Sequence, residues 1–462
     1  MCDTALAKSI AIIGAGYVGI VTGATLAHLG HQVVCVDNDV DKIARLQSGE
    51  LPIFEPGLAE VVNPLIASGA LKFTTDLPGA VKNARVVFIC VGTPMSPSGA
   101  ADMCYVEAVA RGIGAAMDGS YRVVVNKSTV PIGSGDWVAM VVQDGFADAH
   151  SEGETAPDFD VASNPEFLRE GSAVADSFYP DRVVIGARSE RALQEMRELY
   201  APLLEGRFSV PGVEPPKDRP QPVPFVVTDL TSAETMKYAA NAFLALKISY
   251  INEIARICEH VGADVSEVAK GIGYDRRIGH RFLSAGIGWG GSCFRKDVSA
   301  LAHIARQYGQ TPHIIEAAMA ANDLSRQECV NKVMRELKMV YGKTIGLLGL
   351  AFKPDTDDLR DAPALTIAAR LIDAGARVKA YDPVAMPGAA RLNPDIRMAA
   401  DPYDLAREAD ALVLVTEWPQ FRTLDLDRLR AAMRTPVFVD GRNLYNASDM
   451  RARGFRYVGF GI

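Results

Sequence analysis

The chain has 462 residues, 48% of them hydrophobic and 23% charged, with a formal net charge of -8. That length is a prior of about three domains, each able to bury a core, and the composition excludes fibrous and low-complexity classes. The acidic balance leaves no basic surface for nucleic acid or an anionic membrane, and no apolar run reaches the roughly 18 residues that would span a bilayer.

The first apolar run follows Lys8 and is broken by Gly14, Gly16 and Gly19, so it reads as a strand and not as a signal peptide. Seven cysteines, at 2, 35, 90, 104, 258, 293 and 329, include no C-x-x-C pair. Neither a metal site nor a disulfide framework is suggested, and a reduced, cytoplasmic setting is expected.

Residues 8–20 read KSIAIIGAGYVGI, a helical pattern follows, and HQVVCVD ends at Asp37. Strand, glycine turn, helix and strand, with an acid about 20 residues on, is a dinucleotide fingerprint. Gly14 would allow the tight turn, Gly16 would let a pyrophosphate approach the backbone, and Gly19 would let the helix pack closely. The helix N-terminus, at Tyr17 and Val18, would hold the phosphates. Asp37 accepts from a ribose diol and repels a 2′-phosphate, which favours NAD over NADP; Lys42 could serve either. The bland alternative is a glycine turn without a ligand.

ARVVFICVGTP, YRVVVNKSTVP and DFDVASNPEF share one form: an apolar run of a strand buried on both faces, stopped by small, polar or proline residues. In a parallel sheet their ends, at Gly92-Thr93, Ser128-Thr129 and Asn164-Pro165-Glu166, should converge near the cofactor, although turn chemistry alone would also place such residues there. Glu166 could orient water or take a proton. Arg169 and Glu170 are expected on or near one helical face with it, or as an exposed ion pair.

Two stretches read as surface loops, Asp144–Asp160 and the proline-rich Pro211–Pro224, the second marking the edge of the first domain. Asp229–Gly262 then has helical periodicity over more than a typical globular helix, with Thr231 or Ser232 as its cap, and so bridges domains. Lys237 and Asn241 are four apart on it, either a solvated stripe or, near a reactive thiol, oxyanion donors.

GIGWGGSCFRKD, Gly286–Asp297, sets Cys293 at the end of a glycine loop and just before a helix. A helix N-terminus favours the thiolate. Cys35, Cys90 and Cys258 sit in apolar runs and read as core. Residues 343–383 repeat the opening logic, with a looser glycine turn, and two more apolar runs follow. This second Rossmann-like unit would bind a nucleotide or only pack; Lys353, Arg360 and Arg442 are its phosphate-binding candidates. A thiol beside one dinucleotide site suits aldehyde oxidation, in which a thiohemiacetal gives up a hydride and the thioester is hydrolysed.

The segments IAIIGAGYVG, VGTP, KSTVP, NPEFLREGSAVAD, YPDRVVIG, KYAANAFLALKISYINE, GIGWGGSCF and GLAFKPDTDDLRDAP resemble the UDP-glucose/GDP-mannose dehydrogenase family from residue 10 to about 445. The resemblance implies an α/β fold of two Rossmann-like, doubly wound parallel-sheet domains, joined by a long central helix and a helical middle domain. It implies an NAD-binding domain over 1–228, a central domain over 229–330 and a UDP-sugar domain over 331–462. It implies oxidation of UDP-glucose at C6 with two NAD per sugar. Cys293 resembles the family nucleophile, Thr129 and Glu166 the residues that orient water, and Lys237, Asn241 and Asp297 those that support the oxyanion and the water. Gly14 to Gly19, Asp37, Lys42, Gly92, Thr93, Thr129, Glu170 and Arg360 match NAD contacts. Glu166, Phe167, Leu168, Arg169, Lys237, Asn241, Phe282, Leu283, Ser284, Ala285, Gly286, Gly290, Lys353 and Arg442 match sugar-nucleotide contacts. Arg277 resembles an arginine that reaches the substrate from a neighbouring subunit, so at least a homodimer is implied. Arg295 stands where the family usually has Pro or Gln and is expected to point to solvent, and Trp289 replaces Phe or Tyr. GDP-mannose or a UDP-N-acetylhexosamine as substrate, a dehydrogenase stopping after one oxidation, and a non-catalytic nucleotide sensor are the competing readings.

Overall fold

The computed structural model describes residues 7–151, 154–155, 157–217 and 220–462. Cys2 and, within the two stretches expected as loops, Glu152, Gly153, Ala156, Asp218 and Arg219 lie outside the described residues. The chain forms two compact units, one up to Ala239 and one from Ala240 to Ile462.

The first unit is built on eight strands: β1 (Ser9–Ile13), β2 (Gln32–Val36), β3 (Leu71–Thr74), β4 (Val86–Ile89), β5 (Arg122–Asn126), β6 (Phe159–Ser163), β7 (Val183–Ala187) and β8 (Phe225–Thr228). Their order is β3-β2-β1-β4-β5-β6-β7-β8. The central strands are mostly apolar because each face of the sheet has its own core. Ile10, Ile12, Phe88, Val123 and Val125 enter one cluster, and Ala11, Ile13, Val87, Ile89 and Val124 enter the other. Burial of one large aliphatic side chain contributes roughly 1.5–3 kcal/mol, enough to offset the roughly 1–2 kcal/mol of backbone ordering per residue.

One pairing departs from the parallel expectation: β6 and β7 are antiparallel. Residues 164–182 start and finish at the carboxyl end of β6, so the chain must run back. That return keeps Glu166 and its neighbours at the end of the sheet where ligands bind.

Both ends of the expected loop Asp144–Asp160 are regular structure. Asp144 to Ala149 complete the helix Ser134–Ala149, and Phe159 and Asp160 belong to β6. Gly145 does not break that helix; it lets a neighbour in. A Cβ there would lie 2.1 Å from the Arg111 carbonyl oxygen, and one on Gly114, in the facing helix Cys104–Ala116, would lie 2.0 Å from that of Val142. Pro211–Pro224 carries no helix or strand among its described residues, and β8 after it pairs with β7.

The helix Leu230–Val261 runs from one unit into the other. Its start is capped by Asp229, which accepts from the Ser232 N–H at 2.8 Å, so Thr231 and Ser232 lie inside the first turn. The second unit carries β9 (Thr344–Leu348), β10 (Arg377–Tyr381), β11 (Arg397–Met398), β12 (Ala411–Leu414), β13 (Val437–Asp440) and β14 (Arg456–Val458). All are parallel, in the order β11-β10-β9-β12-β13-β14. That is the doubly wound order of a dinucleotide-binding sheet. Among the described residues, no helix is long and apolar enough to cross a membrane.

Candidate active site

In the first unit, the glycines of the β1 turn divide the work as their spacing predicts. Gly14 has φ +108°, and a Cβ on it would sit 2.6 Å from the Cys90 carbonyl oxygen. A Cβ on Gly19 would fall 1.8 Å from the Gly14 oxygen, so only glycine lets the helix Tyr17–His28 lie this close to β1. Gly16 is different: nothing lies within 4 Å of its Cβ direction, and it caps the helix without a side chain. Open space at a helix N-terminus fits a pyrophosphate.

At the end of β2, Asp37 accepts from the Ala15 N–H at 2.9 Å and from Lys42 Nζ at 3.0 Å. Lys42 is thus held on the Asp37 carboxylate, and an acid at this strand end fits NAD. Asp37→Asn keeps an acceptor but drops the charge and loosens Lys42. The kcat/KM ratio of NADP to NAD should rise about tenfold; an unchanged ratio in steady-state assays would remove Asp37 as the discriminating group.

The three strand ends are cross-linked. Thr93 Oγ1 donates to the Thr129 carbonyl at 2.7 Å, Ser128 Oγ donates to the Val91 carbonyl at 2.7 Å, and the Asn164 N–H donates to the Asn126 carbonyl at 2.8 Å. Glu166 is buried. It accepts from Lys237 Nζ at 2.7 Å and from the Leu168 N–H at 2.6 Å. Burial pushes its carboxyl up, but the charge and hydrogen bond of Lys237, the Leu168 N–H and the charge of Lys127 outweigh it and hold the group below the usual carboxylate range. Thr129 and Lys237 line one small cavity with Asn126 and Glu234. The Phe167 ring lies beneath the Arg182 guanidinium, 3.8 Å from its centroid.

Residues 164–169 are not helical, so Arg169 and Glu170 do not share a helical face with Glu166. Arg169 instead grips Asp176 through Nε at 2.9 Å. Two members of this unit's site escaped the sequence reading. Lys127 is buried, donates to Asn164 Oδ1 at 3.1 Å, and has its ammonium pushed down by that burial. Glu55, also buried, accepts from Tyr17 Oη and from the Gly171 and Ala173 N–H groups, tying the glycine turn to the loop after Glu166. In sequence Glu55 looks like any polar residue next to a turn, and Lys127 opens the KSTVP motif with nothing in its spacing to give it a role.

In the second unit, Cys293 is half-buried and immediately precedes the helix Phe294–Gln307. Its Sγ lies 3.5 Å from Ser292 Oγ, and its carbonyl accepts from the Asp297 N–H at 2.9 Å. Asp297 is fully buried; it accepts from Asn241 Nδ2 at 2.6 Å and from Lys296 Nζ at 2.7 Å. Lys237 and Asn241 are therefore both buried members of polar pairs, not a solvated stripe. Cys35, Cys90, Cys258 and Cys329 are buried, and burial pushes the Cys90 and Cys329 thiols up to about 12. Cys104 is exposed, and its hydrogen bond to Asp102 holds its thiol up. Among the described cysteines, Cys293 alone sits partly open in a glycine loop.

The second unit also has a cavity of about 290 Å³ that joins Leu283, Ser284, Ala285 and Arg442 to His280 and Lys270, which the sequence reading missed. Arg442 donates to the carbonyls of Val415, Gly288 and Phe352. It therefore braces the glycine loop as well as lining the cavity. Arg295 does not simply point to solvent but pairs with Asp323 at 3.0 Å. Trp289 is buried and donates through its indole to Ser249 Oγ at 3.0 Å. Arg277 and Arg360 are exposed and bonded to Asp275 and Asp358. Lys353 Nζ lies 5.4 Å from the Phe352 ring centroid.

Residues 8–204, 231–324 and 346–447 match, in turn, the NAD binding, central and UDP binding domains of the UDP-glucose/GDP-mannose dehydrogenase family. A UDP-glucose 6-dehydrogenase of Rhizobium meliloti is 48% identical over 98% of this chain and 99% of its own. The UDP-glucose 6-dehydrogenase TuaD of Bacillus subtilis is 46% identical over 98% of this chain and 93% of its own. A solved UDP-glucose dehydrogenase from Pyrobaculum islandicum superposes with a TM-score of 0.88 at 37% identity, covering 99% of both chains. With an open glycine turn at a helix N-terminus and an acid at the end of the next strand, three consecutive domain matches and near-full-length relatives make this chain an NAD-dependent dehydrogenase belonging to the UDP-glucose/GDP-mannose dehydrogenase family.

Proposed function

We propose that the protein oxidises UDP-glucose at C6 to UDP-glucuronate, taking four electrons in two stages and consuming one water. The observation that carries this reading is the pair of buried polar couples on adjacent turns of one helix. Lys237 holds Glu166, and Asn241 holds Asp297, which lies four residues after Cys293. Buried ions and amides are costly unless they are paired, and strongly perturbed buried groups cluster at functional sites. An ammonium, an amide and a carboxylate are groups that aldehyde oxidation on a thiol can use.

NAD, when bound at Gly14 to Gly19 and Asp37, accepts the hydrides. In the first stage the C6 alcohol loses a hydride and its hydroxyl proton and becomes an aldehyde. The Cys293 thiolate then adds to that carbon, and Lys237 and Asn241 stabilise the new oxyanion. Loss of the second hydride leaves a thioester. Water, oriented by Thr129 and Glu166, attacks the carbonyl carbon; the C–S bond breaks, the thiolate returns and a carboxylate leaves. Glu166, kept ionised, is suited to take the proton from that water. The cavity beside Leu283, Ser284, Ala285 and Arg442 would take the nucleotide end of the substrate. Arg277 would come from a second copy. That dimer is supported by an apolar row on the long helix, Met236, Phe243, Tyr250 and Ile257, exposed at seven-residue spacing.

The test is the ratio of NADH formed to UDP-glucose consumed by purified protein, with mass by light scattering on the same sample. About two NADH per sugar and a two-chain or larger particle are expected. One NADH per sugar would leave an alcohol dehydrogenase. Turnover only with GDP-mannose or a UDP-N-acetylhexosamine would move the sugar assignment, and no turnover with any of them would favour a sensor.

A further inference from the structure

A nucleophile preceded by glycines must be held in place by something outside its own loop. Four of the six residues from Gly286 to Gly291 are glycine, and Gly288 and Gly291 have φ near +90°. Such a segment has much conformational entropy to lose. On its far side, the thiol is fixed by the helix that Cys293 precedes. On its near side, the fixing groups come from the helix His313–Leu337.

Asn322 on that helix is completely buried. Its Oδ1 accepts from the Trp289 N–H at 2.8 Å, and its Nδ2 donates to the Trp289 carbonyl at 3.0 Å. One side chain thus pairs with both polar groups of one residue, as a neighbouring strand would. One turn on, the buried Arg326 donates to the same Trp289 carbonyl at 2.8 Å. Arg326 also grips both carboxylate oxygens of Asp361, at 2.8 and 2.9 Å, and the Asp361 carbonyl at 3.1 Å. The neighbouring Arg360 carbonyl accepts from the Gly291 N–H at 3.0 Å. A single helix face therefore holds the loop at Trp289 directly and, through Asp361, at Gly291. There is no slack: a Cβ on Gly288 would lie 2.2 Å from Asn322 Oδ1, and one on Gly290 would lie 2.4 Å from the Asp361 oxygen.

We propose that Asn322, backed by Arg326, is a positioning residue for the Cys293 nucleophile: it fixes the glycine loop so that the thiol meets the aldehyde carbon. The proposal rests on Cys293 acting as the nucleophile. Asn322 bonds to the glycine loop and to no residue of the dinucleotide fingerprint. Because Gly286 and Gly290 of that loop match sugar-nucleotide contacts, the two steps are compared at saturating sugar nucleotide, where its effect should fall on the stages that need the thiol. A misplacement of about 1 Å can cost on the order of 100-fold in rate, whereas oxidation of the alcohol does not involve the sulfur.

The experiment compares wild type, Asn322→Ala, Asn322→Asp and Cys293→Ser, with rates normalised to NAD-binding sites titrated by fluorescence. Two steps are timed separately: single-turnover oxidation of UDP-glucose to the aldehyde, and oxidation of supplied UDP-6-aldehyde. Asn322→Ala should slow the aldehyde step about 30- to 100-fold and the alcohol step less than about threefold, with KM for NAD unchanged. Asn322→Asp keeps the acceptor for the Trp289 N–H and loses the donor, so its loss should be smaller but fall on the same step. Equal slowing of both steps, or of neither, overturns the proposal, as does failure of both Asn322 variants to bind NAD, which would make the residue purely structural. If Cys293→Ser oxidises the aldehyde at the wild-type rate, the nucleophile reading itself has failed.

Discussion

Cys293→Ser should stop steady-state turnover, lowering kcat by on the order of 1000-fold or more, while leaving NAD binding intact. The fingerprint lies in the first unit, within the span that matches an NAD binding domain, and Cys293 in the second, so all the fingerprint residues stay in place. Serine differs from cysteine by one atom and fills the half-buried position without a cavity. What it lacks is acidity: a hydroxyl at a helix N-terminus remains protonated near neutral pH, where a thiol has an accessible anion. The alcohol stage needs no sulfur, so the variant should form at most about one NADH per site before the aldehyde accumulates. Stopped-flow absorbance reads that amplitude, and mass spectrometry of the quenched mixture identifies the aldehyde or its hydrate. Wild-type turnover in this variant would reduce Cys293 to a packing residue and remove the reason for its glycine loop.

How much of this was legible in the sequence follows from how local each signal is. The fingerprint glycines act within one turn of chain, so their spacing alone announced them, and the structure adds only what each missing Cβ would have struck. The buried strands were legible for the same reason, as runs of apolar residues stopped by small ones. Asp144–Asp160 misled because its polar, acidic character reads as a surface loop, whereas Asp144–Ala149 close a helix whose Gly145 serves an approach between two helices that no local pattern encodes. The return of β7 against β6 was equally hidden, since both are apolar runs of the same kind. At the site, the motif residues stood out by their company; Lys127 opens the KSTVP motif without its spacing giving it a role, and Glu55, Asn322 and Arg326 lie outside every motif. Lys127 and Asn322 find their partners far along the chain, 37 residues on and 33 back. The strand end pointed to Glu166, the helix spacing to Lys237, and the resemblance to their roles; only the fold shows them buried together, 2.7 Å apart.

That pair gives the second large effect. Lys237→Met should remove a buried ammonium and leave Glu166 a buried carboxylate without its main partner, a change that costs about 3–5 kcal/mol. A drop in the urea midpoint, with unchanged slope, measures it. In the wild type, Glu166 is held below its unfolded value of about 4.3, so its contribution to stability is complete above that pH and fades only as pH falls through the lower folded value. Without Lys237, burial is opposed only by Lys127 and the Leu168 N–H. The carboxyl then rises, and the acid limb of kcat/KM must move to higher pH. Activity at the optimum should fall about 100- to 1000-fold, the usual consequence of deleting an oxyanion donor. A second change separates the two effects. Glu166→Gln in the Lys237→Met background removes the unpaired charge and should recover much of the stability, because a neutral amide is far cheaper to bury than a carboxylate. It should recover none of the activity, because neither an oxyanion donor nor a base has been restored. A Lys237→Met protein within about 1 kcal/mol of wild type, with an unmoved pH profile, would mean that the pair behaves as an exposed bridge and that the electrostatic half of the mechanism is wrong.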